Sequence, residues 1–287
     1  MITLGSANLW NYDGNNDELT ALLARQNAHV LMVQELVSSP RGVDLDEPAE
    51  RRRAAARVLR KLADDLNMNC LDTVEAVGTS LTRHHTGLLW HNDLHAIPGS
   101  LMRYDSHIYR NSHGMVTIVL DVGGKKLRVA SAHLSPTDPG MSAGYLDAGL
   151  IHRALHREDG IPGLVGGDWQ GIGSDVKHDP HPYLGVEWNP AIAYHYDNNG
   201  RVDRDAAYRL EQNFRFKDCQ IFTGTRWAQT TGHHRTDRQP PRRIDRIYAT
   251  HDFPDDALVA LRTLSPAEVG QCSDHCPVLV DIDETEL

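Results

Sequence analysis

The chain has 287 residues, with 39 acidic and 29 basic side chains, a formal charge of -10, and 40% hydrophobic and 24% charged residues. This is the composition of a globular protein long enough to bury a large core without disulfides. It excludes extensive disorder, a general nucleic-acid coat and a polybasic membrane binder, but not a nucleic-acid enzyme with a local basic rim.

In chain order, the apolar pattern predicts a first strand through Ile2, Leu4 and Ala7 and a helix over Asn16–Asn27 with Leu19, Leu22 and Leu23 on one face. A buried strand over His29–Glu35 ends in a carboxylate, and a second helix over Pro48–Leu66 begins at a proline. Strands follow over Thr86–Trp90, Gly114–Asp121 and Lys126–Leu134, the last two joined by the hairpin signal Gly123-Gly124. A helix over Met141–His156 precedes a short strand, Leu164-Val165, that runs into Gly166-Gly167-Asp168. Asp203–Phe214 reads as helical, and closing strands hold Ile244–Tyr248 and Pro277–Asp281. Strands interleaved with helices and hairpins point to a mixed α/β layered domain.

The first ten residues lack the basic and apolar regions of a signal peptide. No stretch approaches the ~18 apolar residues of a membrane span. Cys70, Cys219, Cys272 and Cys276 are too scattered for a disulfide framework. A reducing, cytoplasmic location is expected. Cys272-Ser273-Asp274-His275-Cys276 is too crowded along one strand for a zinc site.

Polar clusters end the apolar runs: Asn8, Glu35, His133, Asp168 to Gln170, and Asp245 with Asp274-His275. Any one of them alone reads as a cap or turn residue. Together they supply carboxylates, amides and histidines without a nucleophilic Ser or Cys motif. Such a set suits a hard divalent cation beside groups that move protons and contact phosphate oxygens.

These blocks resemble those of the endonuclease/exonuclease/phosphatase superfamily of metal-dependent phosphoesterases. The match runs through Ser6-Ala7-Asn8-Leu9, Gln34-Glu35, Ser131-Ala132-His133-Leu134, Gly167-Asp168-Trp169 and Arg243-Ile244-Asp245-Arg246-Ile247 to Ser273-Asp274-His275-Cys276-Pro277-Val278. The blocks stand in family order over almost the whole chain, and the closing S-D-H-x-P-V is the most specific. The resemblance implies one catalytic domain over residues 1–287, an α/β (α+β) four-layer α/β/β/α sandwich of two mostly antiparallel sheets with helices outside. It implies Mg²⁺ or Mn²⁺ held by Glu35, with Asn8 and Asp274 beside it. Asp168 would orient or deprotonate the attacking water, and His275, fixed by Asp245, would contact the scissile phosphate. His133 would stabilise or protonate the leaving oxygen. The family usually reads Gly-Asp-x-Asn, and here Gln170 holds the last position, one methylene longer.

The implied activity is phosphoester hydrolysis, with DNA or RNA as the first substrate reading and a small-molecule or lipid-headgroup phosphoester as the second. A non-catalytic member is a third reading, resting on Gln170 and the net charge. The segment 226–246 is rich in arginine, including Arg242 and Arg243, with Trp227, His233 and His234 interleaved. It reads either as a phosphate- and base-binding rim or as a solvent loop with incidental arginines. The His84-His85 and His233-His234 doublets could bind transition metals but read by default as exposed loop histidines, while His85-Thr86-Gly87-Leu88-Leu89-Trp90 resembles a family strand that would bring His85 near the cleft. The basic residues of Pro48–Leu66 are flanked by acids and read as a solvated face. Oligomeric state is not readable.

Overall fold

Thirteen strands form two sheets in the computed structural model, which describes residues 1–39, 47–73, 76–109, 113–136, 143–197 and 199–287. They are β1 (Ile2–Tyr12), β2 (Val30–Val37), β3 (Val77–Gly78), β4 (His84–Trp90), β5 (His95–Ala96), β6 (Met102–Tyr104) and β7 (Met115–Val122), then β8 (Lys125–His133), β9 (Gly163–Asp168), β10 (Lys217–Asp218), β11 (Asp245–Ala249), β12 (Leu258–Thr263) and β13 (Val278–Ile282). The main helices are α1 (Asp17–Ala24) and α2 (Pro48–Leu66), then the short α3 (Ser106–Tyr109) and α4 (Ala143–Leu155). One sheet has the order β12-β13-β1-β2-β4-β3, the other β10-β11-β9-β8-β7-β5 with β6 on β7. Among the described residues, only β1–β2 and β8–β9 pair in parallel. Each of those pairs needs a crossover, supplied by α1 and α4.

The strand period of two builds the layers. Val30 and Met32 of β2 join Val129 of β8 and Ile247 of β11 in the core between the sheets. Leu31 and Val33, one residue out of phase, pack with Leu19 of α1 and Leu59 of α2. Ala130 and Ala132 likewise meet Ala148 and Ile151 of α4 on the far side of the second sheet. The order is helix, sheet, sheet, helix, as the resemblance implies.

Local chemistry sets the boundaries. Asn16 caps α1 by accepting from the Leu19 N–H at 3.0 Å, and α2 starts at Pro48 and stops at Asn67 with φ 52°. Gly123 and Gly124 both have positive φ (60° and 85°), as a two-residue turn between β7 and β8 demands. Two sequence expectations are corrected. The helix over Asp203–Phe214 is an α-turn, Asp205–Tyr208, running into a π-helical Arg209–Asn213. The strand at Glu35 continues to Val37. The anticipated helix start at Met141 lies outside the described residues, and the helix is described from Ala143. Among the described residues no helix is long and apolar enough to cross a membrane.

Candidate active site

The inner faces of both sheets turn polar at one end. Along β1 the inward series Ile2, Leu4 and Ser6 reaches Asn8, and along β8 Leu127, Val129 and Ser131 lead to His133. β9 ends at Asp168, which pairs with Asp245 at the start of β11. β13 runs antiparallel to β1 with Val278 opposite Ser6, so Asp274 and His275 precede it at the same edge. Parallel β1–β2 and β8–β9 pairing therefore puts four strand ends together, and antiparallel β11 and β13 add their beginnings. Just below, Gly166 lets the sheets close in: a Cβ there would lie 2.6 Å from the Ser6 Cβ.

Glu35 is out of phase with the inward residues Val30, Met32 and Gln34. A break in the β2–β4 register between Val33 and Leu36, with Glu35 at φ 61°, turns its carboxylate to Asn8. Asn8 Nδ2 donates to Glu35 Oε1 at 3.2 Å and to Asp168 Oδ2 at 3.1 Å. The β1–β2 register also breaks after Asn8, where Trp10 (φ 48°) and Asn11 (φ 60°) are left-handed and the Asn11 N–H donates to Glu35 Oε2 at 2.9 Å. With Gln170 (φ 52°), four of the seven positive-φ non-glycine residues among the described residues belong to this site. Backbone strain concentrated this way is characteristic of a functional site.

Asp168 is the hub. Its Oδ1 accepts from the Gln170 N–H at 2.9 Å and its Oδ2 from Gln170 Nε2 at 2.9 Å. His133 Nε2 lies 3.6 Å and His275 Nε2 3.8 Å from that oxygen. Burial pushes the Asp168 carboxyl up to about 7; His275 opposes the shift, and Asp245 and Glu35 add to it. His275 Nδ1 contacts Asp245 at 2.8 and 3.0 Å. Burial disfavours its charge, but Asp245, Asp274 and Asp168 together hold the imidazole well above its usual value. His133 goes the other way, held neutral by burial and by His113 and His84.

The donor set fits a hard divalent cation. Asp274 Oδ1 is buried without a hydrogen-bond partner, and burial, with Glu35 adding, raises this carboxyl although His275 opposes it. Glu35, Asp274 and the Asn8 carboxamide are oxygen donors of the kind Mg²⁺ or Mn²⁺ takes. Asp168, Asp245 and His275 also offer ligand atoms within 4.8 Å of one another, but the His275–Asp245 hydrogen bond occupies that trio internally.

The structure buries three residues expected to contact substrate. His85 lies on the outer face of β4 beneath α2, fully buried, where its Nδ1 accepts from the Ser80 N–H at 3.0 Å. Its neighbour His84 is on the cleft side. Arg243 is 1% exposed and bridges two carboxylates, with Nε 2.8 Å from Asp179 Oδ1 and Nη2 2.7 Å from Asp218 Oδ2. Arg242 is also buried, 2.9 Å from Asp237 Oδ2. The half of the arginine segment next to Asp245 therefore clamps the loop to the second sheet. Arg226, Arg235 and Arg238 remain exposed. Arg243→Met should cost about 3–5 kcal/mol, because Asp179 and Asp218 would stay buried with only Arg246, 3.8 Å from Asp218 Oδ2, left beside them. Denaturant titration checks this, and a loss below ~1 kcal/mol would show the cluster to be solvated instead.

The sequence reading passed over His113 and Trp10. His113 stacks on His133 with centroids 3.8 Å apart, and His84 stands 6.2 Å beyond. Trp10 packs on the buried His234 at 4.5 Å, so His234 is not an exposed loop residue. A tryptophan directly after the Asn8 block was the available signal. His113 had none, as it falls just before its strand.

Gln170 Nε2 bridges Asp168 and His133, 2.9 and 3.2 Å away. Asparagine, one methylene shorter, cannot span both. Gln170→Asn should lower kcat several-fold, the ~1–2 kcal/mol of a lost hydrogen bond, while stability holds or rises because asparagine tolerates left-handed φ. A gain in kcat on every phosphoester tested would reverse this reading.

No family model matches the chain, and no curated protein matches it in sequence. Solved structures do match over nearly full length. An endonuclease/exonuclease/phosphatase from Bacteroides vulgatus superposes with TM-score 0.66 at 13% identity, covering 98% of each chain. A mannosyl-6-phosphatase from Bacteroides thetaiotaomicron gives 0.62 at 13% identity, covering 99% of this chain and 100% of its own. An AP endonuclease from Archaeoglobus fulgidus gives 0.62 at 14% identity with the same coverage. The chain has the endonuclease/exonuclease/phosphatase fold.

Proposed function

We propose that this chain is a divalent-cation-dependent phosphoester hydrolase, one catalytic domain over residues 1–287, cleaving phosphodiester bonds of DNA or RNA by in-line attack of water. The observation that carries the reading is Asp168, a fully buried carboxylate with His133 Nε2 at 3.6 Å and His275 Nε2 at 3.8 Å from its Oδ2. Asp168 orients the water and takes its proton. His275, kept charged and aimed by Asp245, stabilises negative charge on the phosphate oxygens. His133, held by Gln170, faces the leaving oxygen. Glu35, Asp274 and Asn8 would hold Mg²⁺ or Mn²⁺, which would supply positive charge to the phosphoryl group. No thiolate competes as nucleophile: burial pushes the Cys276 thiol up to about 12. The four free cysteines support a reducing, cytoplasmic location.

The burial of Arg242 and Arg243 favours a second reading, a small phosphoester as substrate, since it removes cations from the rim. Salt separates the two, because a polyanion that displaces counterions gives a steep salt dependence and a small ester a shallow one.

Labelled DNA, RNA and model mono- and diesters should be screened with Mg²⁺ or Mn²⁺. Turnover should vanish in excess chelator and return with the cation. Glu35→Ala should need more cation for half-maximal rate. Undiminished turnover in metal-free buffer would end the cation-dependent mechanism.

A further inference from the structure

At the opposite end of the second sheet, His156, His251 and Asp252 converge on the surface, with one ligand atom from each within 4.8 Å of the others. We propose that they form a binding site for a borderline transition-metal cation of the Zn²⁺, Co²⁺ or Ni²⁺ type, separate from the hydrolytic centre.

The backbone on both sides is fixed. His156 directly follows α4, and its N–H donates to His152 O at 2.8 Å. His251 and Asp252 occupy the turn after β11, where the Thr250 N–H donates to Gly163 O at 2.9 Å and the Phe253 N–H to Thr250 O at 3.1 Å. The facing rings of His156 and His251 are 5.2 Å apart between centroids. Tetrahedral zinc with bonds near 2.0–2.1 Å needs donor atoms about 3.4 Å apart. Exposed side chains on two anchored backbones can close from 4.8 Å by small rotations.

A third imidazole stands beside the pair, with the His152 and His156 ring centroids 5.1 Å apart. The site also meets the C-terminal end of α4, where the helix dipole favours positive charge. Arg128, on the Leu155 carbonyl at 3.2 Å, and Arg209 are cations near this end, and both are engaged, Arg128 2.6 Å from Asp159 Oδ2 and Arg209 over the Tyr145 ring at 4.1 Å. Two nitrogen donors with one carboxylate suit a transition metal, whereas the oxygen donors around Glu35 suit Mg²⁺. Asp168 pairs with Asp245 at the other end of β9, five residues and about 17 Å from Gly163.

The full chain should be titrated calorimetrically with Zn²⁺ in excess Mg²⁺, which occupies the oxygen site. One saturable equivalent is expected, with a rise in melting temperature. Co²⁺ should give visible bands of imidazole coordination. His251→Ala and Asp252→Asn should each weaken binding at least ~10-fold and abolish the thermal shift, while His251→Ala leaves Mg²⁺-supported hydrolysis unchanged. Zn²⁺ binding that is non-saturable, displaced by Mg²⁺, or equal in wild type and His251→Ala would overturn the proposal. These readouts do not require the hydrolase reading to hold.

Discussion

Asp168→Asn is expected to cut kcat by about 10³-fold or more while leaving the protein as stable as, or more stable than, the wild type. The substitution is isosteric, and with its NH2 in place of Oδ1 it keeps the hydrogen bonds from Asn8 Nδ2 and Gln170 Nε2 and gives up only the one from the Gln170 N–H. What disappears is the negative charge and with it the proton acceptor. Removing an acid–base group costs roughly 10²–10⁴-fold. The stability sign comes from the shift itself. The Asp168 carboxyl is raised to about 7 from 3.8, first by burial. Its charged form is thus worse off in the fold than in the unfolded chain, and stability falls as pH rises from about 4 through about 7. In cation-free buffer the neutral amide escapes that penalty. A purely structural carboxylate would behave oppositely, losing stability with its charge. The measurement is kcat on a model diester beside a melting curve in chelator. Near-normal turnover, or a marked drop in melting temperature, would remove Asp168 from its role.

The main elements could be read from sequence where periodicity is long and its boundaries chemical. α2 begins at Pro48 and ends at Leu66 as expected, because its apolar spacing, N1 proline and left-handed Asn67 all act locally. Short strands such as β3, β5 and β10 carry two residues each and have no period to detect. The site was readable in part for a physical reason: polar residues at the ends of apolar runs must sit at a sheet edge, and parallel pairing gathers those edges. What failed was parity. His84 and His85 are one residue apart on β4, so an unknown register decides which faces the cleft and which lies under α2. Glu35 reaches Asn8 only through a bulge that no sequence pattern announces. Arg243 illustrates another limit. Its charge suggests phosphate, but its partners Asp179 and Asp218 are 64 and 25 residues away and only the fold reveals them.

His275→Ala should lower kcat by about 10²–10³-fold, the scale of one preorganised charge-stabilising group. Asp245→Asn should cost less, roughly 10-fold, and change the pH profile in a defined direction. His275 donates through Nδ1 to Asp245, so Nε2 is left facing Asp168 and Asp274, each 3.8 Å away. Burial works against the imidazolium, and the three carboxylates outweigh it. A histidine whose folded value is raised loses its charge as pH climbs through that value, so the rate should fall on the alkaline side. Removing the Asp245 charge takes away the strongest of the raising neighbours, and the alkaline limb should move to lower pH. The stability supplied by this ion pair is fully present below the ordinary histidine value of 6.5 and fades as pH rises through the raised one. Asp245→Asn should therefore destabilise most at acid to neutral pH, the reverse of the pattern expected for Asp168→Asn. A residue that merely packs beside the cleft would shift neither limb. An alkaline limb that stays in place in Asp245→Asn, or a His275→Ala enzyme with near-wild-type kcat, would detach this pair from the chemistry.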